Sequence, residues 1–352
     1  MKLYQIVDTI DNRMHAGTKA VSDVVNILEK INFDSIFISR GQEELDIFSK
    51  IKRQIGFYKQ WKGVYKKIEN DSLLLIQHPN NTMQFGKRQI LDKLKKEKNV
   101  KIVFIIHDIE TLRFKLDFYA REYKDMVDFA DIIIAHNPAM KSWLIGQGID
   151  KEKIVSLEIF DYLIHKFDKS ETIFSKRVTI AGNLDVEKSP YVYKLADLKN
   201  IQFDLLGVNY KQKNQISNIN YKGSFPPDDV PNQLVSGFGL VWDGDSLETC
   251  SGVTGNYLRY NNPHKLSLYL ASKMPVIVWA ESAEAAFVKE HNLGISVHSL
   301  KELEDILGNM TEKEYKNYVN SVEEVSKKIR AGHYLTQAIY NSIEKLLKKT
   351  QF

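Results

Sequence analysis

Short runs of aliphatic and β-branched residues alternate along this chain with longer amphipathic stretches. That alternation builds parallel sheets flanked by helices. In the first half the pattern predicts strands at 3–10, 35–39, 73–77, 101–107, 131–136 and 154–157, with helices at 18–31, 43–69, 84–96, 112–129 and 138–147. Several strands, LLLI and IVFII among them, are apolar throughout, as expected where helices cover both faces of a sheet. A second series follows the polar segment 161–175, with strands at 177–181, 202–206, 219–221, 239–242, 275–279 and 295–297. Its helices fall near 192–198, 227–234, 263–270, 283–290 and 300–306, and a last helical stretch, 312–349, breaks around Gly332. The expected organisation is two α/β domains, 1–165 and 166–330. A terminal helix in 331–352 follows, and whether it crosses back to the first domain is left open by period alone.

A length of 352 residues accommodates two domains, each able to bury its own core. Hydrophobic residues at 43% and charged residues at 27% are ordinary globular composition, with no low-complexity segment or fixed-period repeat. The net charge of +4 is small beside 49 basic and 45 acidic side chains, so no large nucleic-acid footprint is implied, although anionic substrates suit the excess. The single cysteine, Cys250, forms no internal disulfide and fits a reducing, cytoplasmic compartment. The opening run is broken by Asp8, Asp11 and Asn12, too early for a signal-peptide core. No apolar run reaches the roughly 18 to 20 residues that span a bilayer. Peripheral association at the inner face of the membrane stays open, as does a homo-oligomer.

Ligands of open parallel sheets bind beyond the carboxyl ends of the strands, so the residues there carry most weight. After the first strand, Gly17 and Thr18 open a helix whose amides can approach an anion or a sugar hydroxyl; a tight turn capped by Thr18 is the plainer alternative. No G-x-G-x-x-G is present, which disfavours a dinucleotide. The third and fourth strands run into Gln77-His78-Pro79 and His107-Asp108. A histidine beside a carboxylate suits a general base, its pKa held near neutrality, against the alternative of a structural histidine. His136-Asn137-Pro138 reads instead as a helix entry.

In the second half, a strand starting at Arg177 ends at Gly182-Asn183, with Lys188 shortly after. Glycine permits close approach by a diphosphate that a cation can neutralise. Tyr210 follows the next strand and can either face a flat base or pack on a neighbour. The most informative segment is NNPHKLSLYLASKMPVIV, from Asn261 to Val278: a polar loop enters a helix at Pro263, and Lys265 lies in its first turn. A cation is poorly placed at a helix N-terminus unless an anion sits there; a solvated lysine is the alternative. Asp243-Gly244-Asp245 matches a D-x-D metal pattern but ends a late strand, so no metal is assigned to it. Gly252-Val253-Thr254-Gly255 lacks the preceding strand of a phosphate loop and is expected to be a mobile loop beside the cleft.

With LLLIQHP, IIHDIETLR, ADIIIAHN and GLVWDGDS, the segment NNPHKLSLYLASKMPVIV resembles the GT-B glycosyltransferases. Its wording is nearest to the bacterial glucosyltransferases that extend N-acetylglucosamine on serine-rich adhesins and to the related β-1,6-galactofuranosyltransferases. The resemblance runs across most of the chain. It implies an α/β GT-B fold, two Rossmann-like domains facing across a cleft, the first for the acceptor and the second for the nucleotide sugar. The implied reaction moves a hexose (glucose, galactose or galactofuranose) from a UDP-sugar to a glycan, glycoprotein or lipid-linked acceptor, with no cofactor and no metal. By the same resemblance Arg177, Gly182, Asn183, Lys188, Tyr210 and Lys265 line the nucleotide and diphosphate pocket. Asp243, Gly244, Asn262 and Pro263 add loop contacts, and Gly17 and Thr18 belong to the first-domain loop that closes on the donor. His107 or Asp108 is the expected base. The E-x(7)-E signature of retaining enzymes is absent from 246–271, in keeping with inversion. A sugar- or nucleotide-binding protein without turnover, or a sugar-nucleotide epimerase of the same fold, is the alternative.

Overall fold

The computed structural model describes residues 1–9, 19–41, 46–80, 82–167, 172–211 and 216–350. Gly17 and Thr18 lie outside them. The chain divides into two compact units: Met1–His136 with Lys141–Leu157 and Leu335–Phe352, and Asn137–Met140 with Glu158–Tyr334.

In the first unit the elements run β1 (Leu3–Thr9), α1 (Lys19–Lys30), β2 (Asp34–Ser39), α2 (Ile47–Lys67), β3 (Leu73–His78), α3 (Lys87–Lys98), β4 (Lys101–Ile106), α4 (Asp117–Phe129), β5 (Ile132–Ala135), α5 (Pro138–Gly146, whose first turn belongs to the second unit) and β6 (Ile154–Ser156). The strands form one six-stranded sheet in the order β2-β1-β3-β4-β5-β6, and every pair is parallel. Leu73, Leu74 and Leu75 are buried, as are Ile102 to Ile106, because both faces of the central strands are covered.

The second unit holds β7 (Ile173–Asn183), β8 (Gln202–Val208), β9 (Ile219–Tyr221), α6 (Val230–Gln233), β10 (Ser236–Val241), α7 (Gly252–Tyr257), α8 (His264–Ala271), β11 (Val276–Trp279), α9 (Ala285–Glu290), β12 (Gly294–Val297), α10 (Glu302–Asn309) and α11 (Glu312–Ala331). Its parallel sheet has the order β12-β11-β10-β7-β8-β9. Strand succession reverses between β7 and β10, and at such a point ligands of open parallel sheets bind beyond the carboxyl ends. Buried Trp242, Trp279, Tyr191 and Phe203 fill the core of this unit. Gly332, at φ 76°, ends α11 in the left-handed conformation that suits glycine, and α12 (His333–Thr350) follows.

Three local differences from the sequence pattern have physical causes. The stretch near 192–198 is a 3-10 turn, Pro190–Asp197, with proline in its first turn. The helix expected from residue 43 is α2, whose start at Ile47 is set by the Asp46 carboxylate accepting from the Ser49 amide. Residues 252–255, expected as a mobile loop, belong to helix α7. A Cβ on Gly255 would meet the Cys250 backbone at 2.6 Å, so glycine lets this short helix sit directly against the preceding chain.

Candidate functional site

At the reversal between β7 and β10, three chain segments meet. Gly182 and Asn183 end β7 in register with Gly207 and Val208 of β8. Backbones approach so closely there that a Cβ on Gly207 would lie 1.7 Å from the Gly182 carbonyl oxygen. Trp242 and Asp243 follow β10. Lys265, in the first turn of α8, reaches across: its Nζ donates to the Trp242 carbonyl at 3.3 Å and lies 2.8 Å from Asp243 Oδ1. Its Cε stands 3.9 Å from where a Cβ would sit on Gly182, so the lysine stem lies alongside the end of β7, where the φ of 147° favours glycine. One turn along the same face, buried Tyr269 lies over Gly239 and its hydroxyl accepts from the Ala181 amide at 2.8 Å. Helix α8 thus fixes the end of β7 with Tyr269 and aims a cation over it with Lys265.

Around this group the electrostatics are uneven. Glu284, before α9, is buried, and its carboxylate has only weak contacts, with its own amide and Ser282, to offset that burial. Burial pushes its carboxyl up to about 8; the Asp243 charge adds to the rise, while Lys265, Ser282 and its own amide oppose it. Burial likewise raises the Cys250 thiol, leaving it inert near neutral pH. Asp243 and Asp245 are separately engaged, the first by Lys265 and the second by the Ser251 hydroxyl. The anion that the sequence argument required near Lys265 is therefore supplied, in this state, by the protein itself.

The other expected donor residues divide into two sets. Asn183 accepts through Oδ1 from the Asp185 amide and from Asn209, both at 3.1 Å, shaping an exposed turn that also carries exposed Lys188. Gly244, at φ 108°, fits where a Cβ would strike the Ser251 carbonyl oxygen at 2.4 Å. Pro263 caps α8 and so sets Lys265. Those four border the Lys265 region in sequence or space. Three others are committed elsewhere. Tyr210 stacks on Tyr193, with centroids 5.6 Å apart, and packs on Tyr221, the alternative that the sequence left open. Buried Asn262 accepts from Asn137 at 2.7 Å and donates to the Glu158 carbonyl at 2.7 Å, tying loops together.

Arg177 does not join the group. It pairs in register with Gln202, the first residue of β8, about 16 Å of extended strand before Gly182. Its guanidinium grips Asp204 with bonds of 2.9 and 3.2 Å. Burial alone would raise the Asp204 carboxyl, but hydrogen bonds from Arg177, Lys222 and Asn220 outweigh it and hold it low.

In the first unit the histidines do gather. The His107 amide donates to the His78 carbonyl at 2.7 Å, and His136 Nε2 bonds the Ile106 carbonyl at 3.0 Å. Their protonation differs from expectation: burial pushes His78 and His136 down to about 3 and His107 to about 4, rather than holding any near neutrality. The His107 Nε2 is 2.6 Å from Gln77 Oε1. Asp108 instead lies 3.0 Å from Arg113, which also binds Glu110. A second polar network sits at the strand reversal of this sheet, between β1 and β3. Asp8 is held there by Arg40 at 3.0 Å, by Gln84 at 3.0 Å and by Asn80. Buried Lys87 joins Asn80 to Glu122. Sequence reasoning missed this network and Glu284; the signal for the first was Asp8 at the end of the strand beside the reversal.

Two parallel six-stranded sheets with flanking helices are the arrangement of a GT-B glycosyltransferase. Sequence profiles of the glucosyltransferase 3-like N-terminal and C-terminal domains match residues 3–159 and 178–342. The chain belongs to the glucosyltransferase 3-like family. It is 32% identical over 350 residues to the β-1,6-galactofuranosyltransferase WbbI of Escherichia coli (strain K12), covering 98% of this chain and 99% of that one. It is 25% identical over 333 residues to glucosyltransferase 3 of Streptococcus gordonii, covering 93% and 94%. Among solved structures, Anabaena HepE in complex with UDP shares the fold at a TM-score of 0.60 and 10% identity, with 100% of both chains covered. No helix among the described residues is long and apolar enough to cross a membrane.

Proposed function

We propose that the protein transfers a hexose from a UDP-sugar to a sugar acceptor by direct, inverting displacement. The second unit holds the donor and the first the acceptor. The observation that carries this reading is Lys265 at the reversal point, beside the glycine end of β7. An ammonium fixed there stabilises the charge that grows on the leaving diphosphate, as a metal would. Support for a metal-free site comes from Asp243, whose carboxylate already faces a cation within the chain. Of the two expected bases, Asp108 is preferred for its position, because its carboxylate is partly open to solvent at the strand end, whereas the His107 ring is engaged by Gln77. Galactofuranose is the first hexose to test, since the relative at 32% identity is named for its transfer. The buried Cys250 thiol is consistent with a cytoplasmic setting.

The test supplies UDP-galactofuranose, UDP-galactose and UDP-glucose in turn, with and without a glycan acceptor, and follows UDP release. Acceptor-dependent release from one donor supports transfer. Tight binding with no release from any donor turns the reading into that of a binding protein.

A further inference from the structure

Helix α2 carries two apolar stripes, and among the described residues one is buried while the other is exposed. Phe57, Trp61 and Val64 are buried against the first unit. Before Phe57 the helix buries nothing, yet it presents Ile47, Phe48, Ile51 and Ile55, with Phe48 83% exposed and Ile51 55% exposed. At 100° per residue these four side chains share one face, about a third of a turn from the buried stripe. Gln54 extends this face by accepting from the Phe85 amide and donating to the Met83 carbonyl, each at 2.9 Å. Met83 and Phe85 are both exposed there, and Phe85 leans on Tyr58.

The polar positions of the same helix are one-sided in charge. Seven Lys or Arg occur among its 21 residues, with no Asp or Glu. Among the described residues none of these cations pairs with a carboxylate. Lys52 and Lys59 flank the exposed apolar face, and Lys62 lies on its continuation, over the Tyr58 ring.

We propose that this face of α2 is a docking surface for an anionic lipid membrane. The isoleucines and Phe48 enter the boundary between headgroups and acyl chains, and the flanking lysines meet lipid phosphates. A second copy of this chain fits the apolar stripe but brings Lys52, Lys59 and Lys62 against the same cations, with no carboxylate on the helix to offset them, which opposes pairing. The proposal stands apart from the donor reading, because its readout is vesicle binding rather than transfer.

Cosedimentation of the full chain with two vesicle types provides the test: phosphatidylcholine alone, and phosphatidylcholine with phosphatidylglycerol in equal parts. Binding is expected to the anionic vesicles and to weaken with salt. Joint Phe48→Ser and Ile51→Ser substitution should lower that binding at least about tenfold, and Lys52→Glu with Lys59→Glu should abolish the preference for phosphatidylglycerol. All these positions are exposed, and unchanged UDP affinity and melting temperature would verify folding. Absence of anionic-vesicle binding by the unsubstituted chain, or binding indifferent to both pairs of substitutions, overturns the proposal. So does a solution dimer that the serine pair dissociates, since the face would then belong to a second copy.

Discussion

Lys265 Nζ and Asp243 Oδ1 stand 2.8 Å apart at the reversal point of the second sheet, both partly open to solvent. The pair resolves the electrostatic difficulty of a lysine in the first turn of a helix. It also holds that lysine in place beside the glycine end of β7. On the proposed donor reading, an arriving diphosphate would be the second anion that this ammonium meets.

Glu284 makes stability depend on pH in a direction that can be checked. Its carboxyl is raised from 4.5 to about 8 in the folded chain. Below the lower value both folded and unfolded forms hold the proton, so the group is neutral in its effect. Between the two values the unfolded chain releases the proton more readily, and stability falls as pH rises, levelling above the folded value. Glu284→Gln removes this slope. Denaturant titrations should show the variant gaining on the unsubstituted protein by at most roughly 3 kcal/mol between about pH 5 and about pH 7.5. Parallel curves over that interval would mean that the Ser282 and backbone contacts offset the burial of the carboxylate.

Arg177 distinguishes a structural cation from a ligand cation. Arg177→Ala leaves Asp204 buried with only Lys222 and Asn220. Unfolding free energy should drop by about 1 to 3 kcal/mol, while UDP affinity in the folded variant stays as it was. A calorimetric loss of UDP affinity without loss of stability would return Arg177 to the pocket.

Both sheets and their order of elements were legible because the central strands, buried on two sides, are apolar throughout, and the helices show a contrasting period. The site was less legible. Lys265 stood out because its charge conflicts with its helix position. Arg177 could not be placed from sequence, which does not show which end of a long strand a side chain serves; β7 begins at Ile173, and Arg177 binds Asp204. Glu284 gave no signal, since its importance comes from burial among residues far apart in the chain. The histidines at the strand ends were visible, but desolvation, which removes them from the neutral pKa range, is a property of packing alone.

The base assignment separates two neighbours. Asp108→Asn should lower kcat by about a hundredfold or more, with UDP affinity retained, whereas His107→Ala should cost less than about tenfold. Because burial holds His107 at about 4, the rate should show no histidine-like inflection near pH 6.5. Near-normal turnover in Asp108→Asn would place the base elsewhere.

The most direct measurement is a calorimetric titration of UDP, with a chelator present throughout, into the unsubstituted protein, Lys265→Ala and Lys273→Ala. Lys273 follows the same helix at its other end and pairs with Glu323 at 3.4 Å, so its removal controls for loss of a cation. The account predicts metal-free UDP binding that Lys273→Ala preserves and that Lys265→Ala weakens by at least about tenfold, the loss of roughly 1.5 to 3 kcal/mol from a charge-assisted hydrogen bond. Equal UDP affinity in the two variants, or binding that disappears with the chelator, would contradict it.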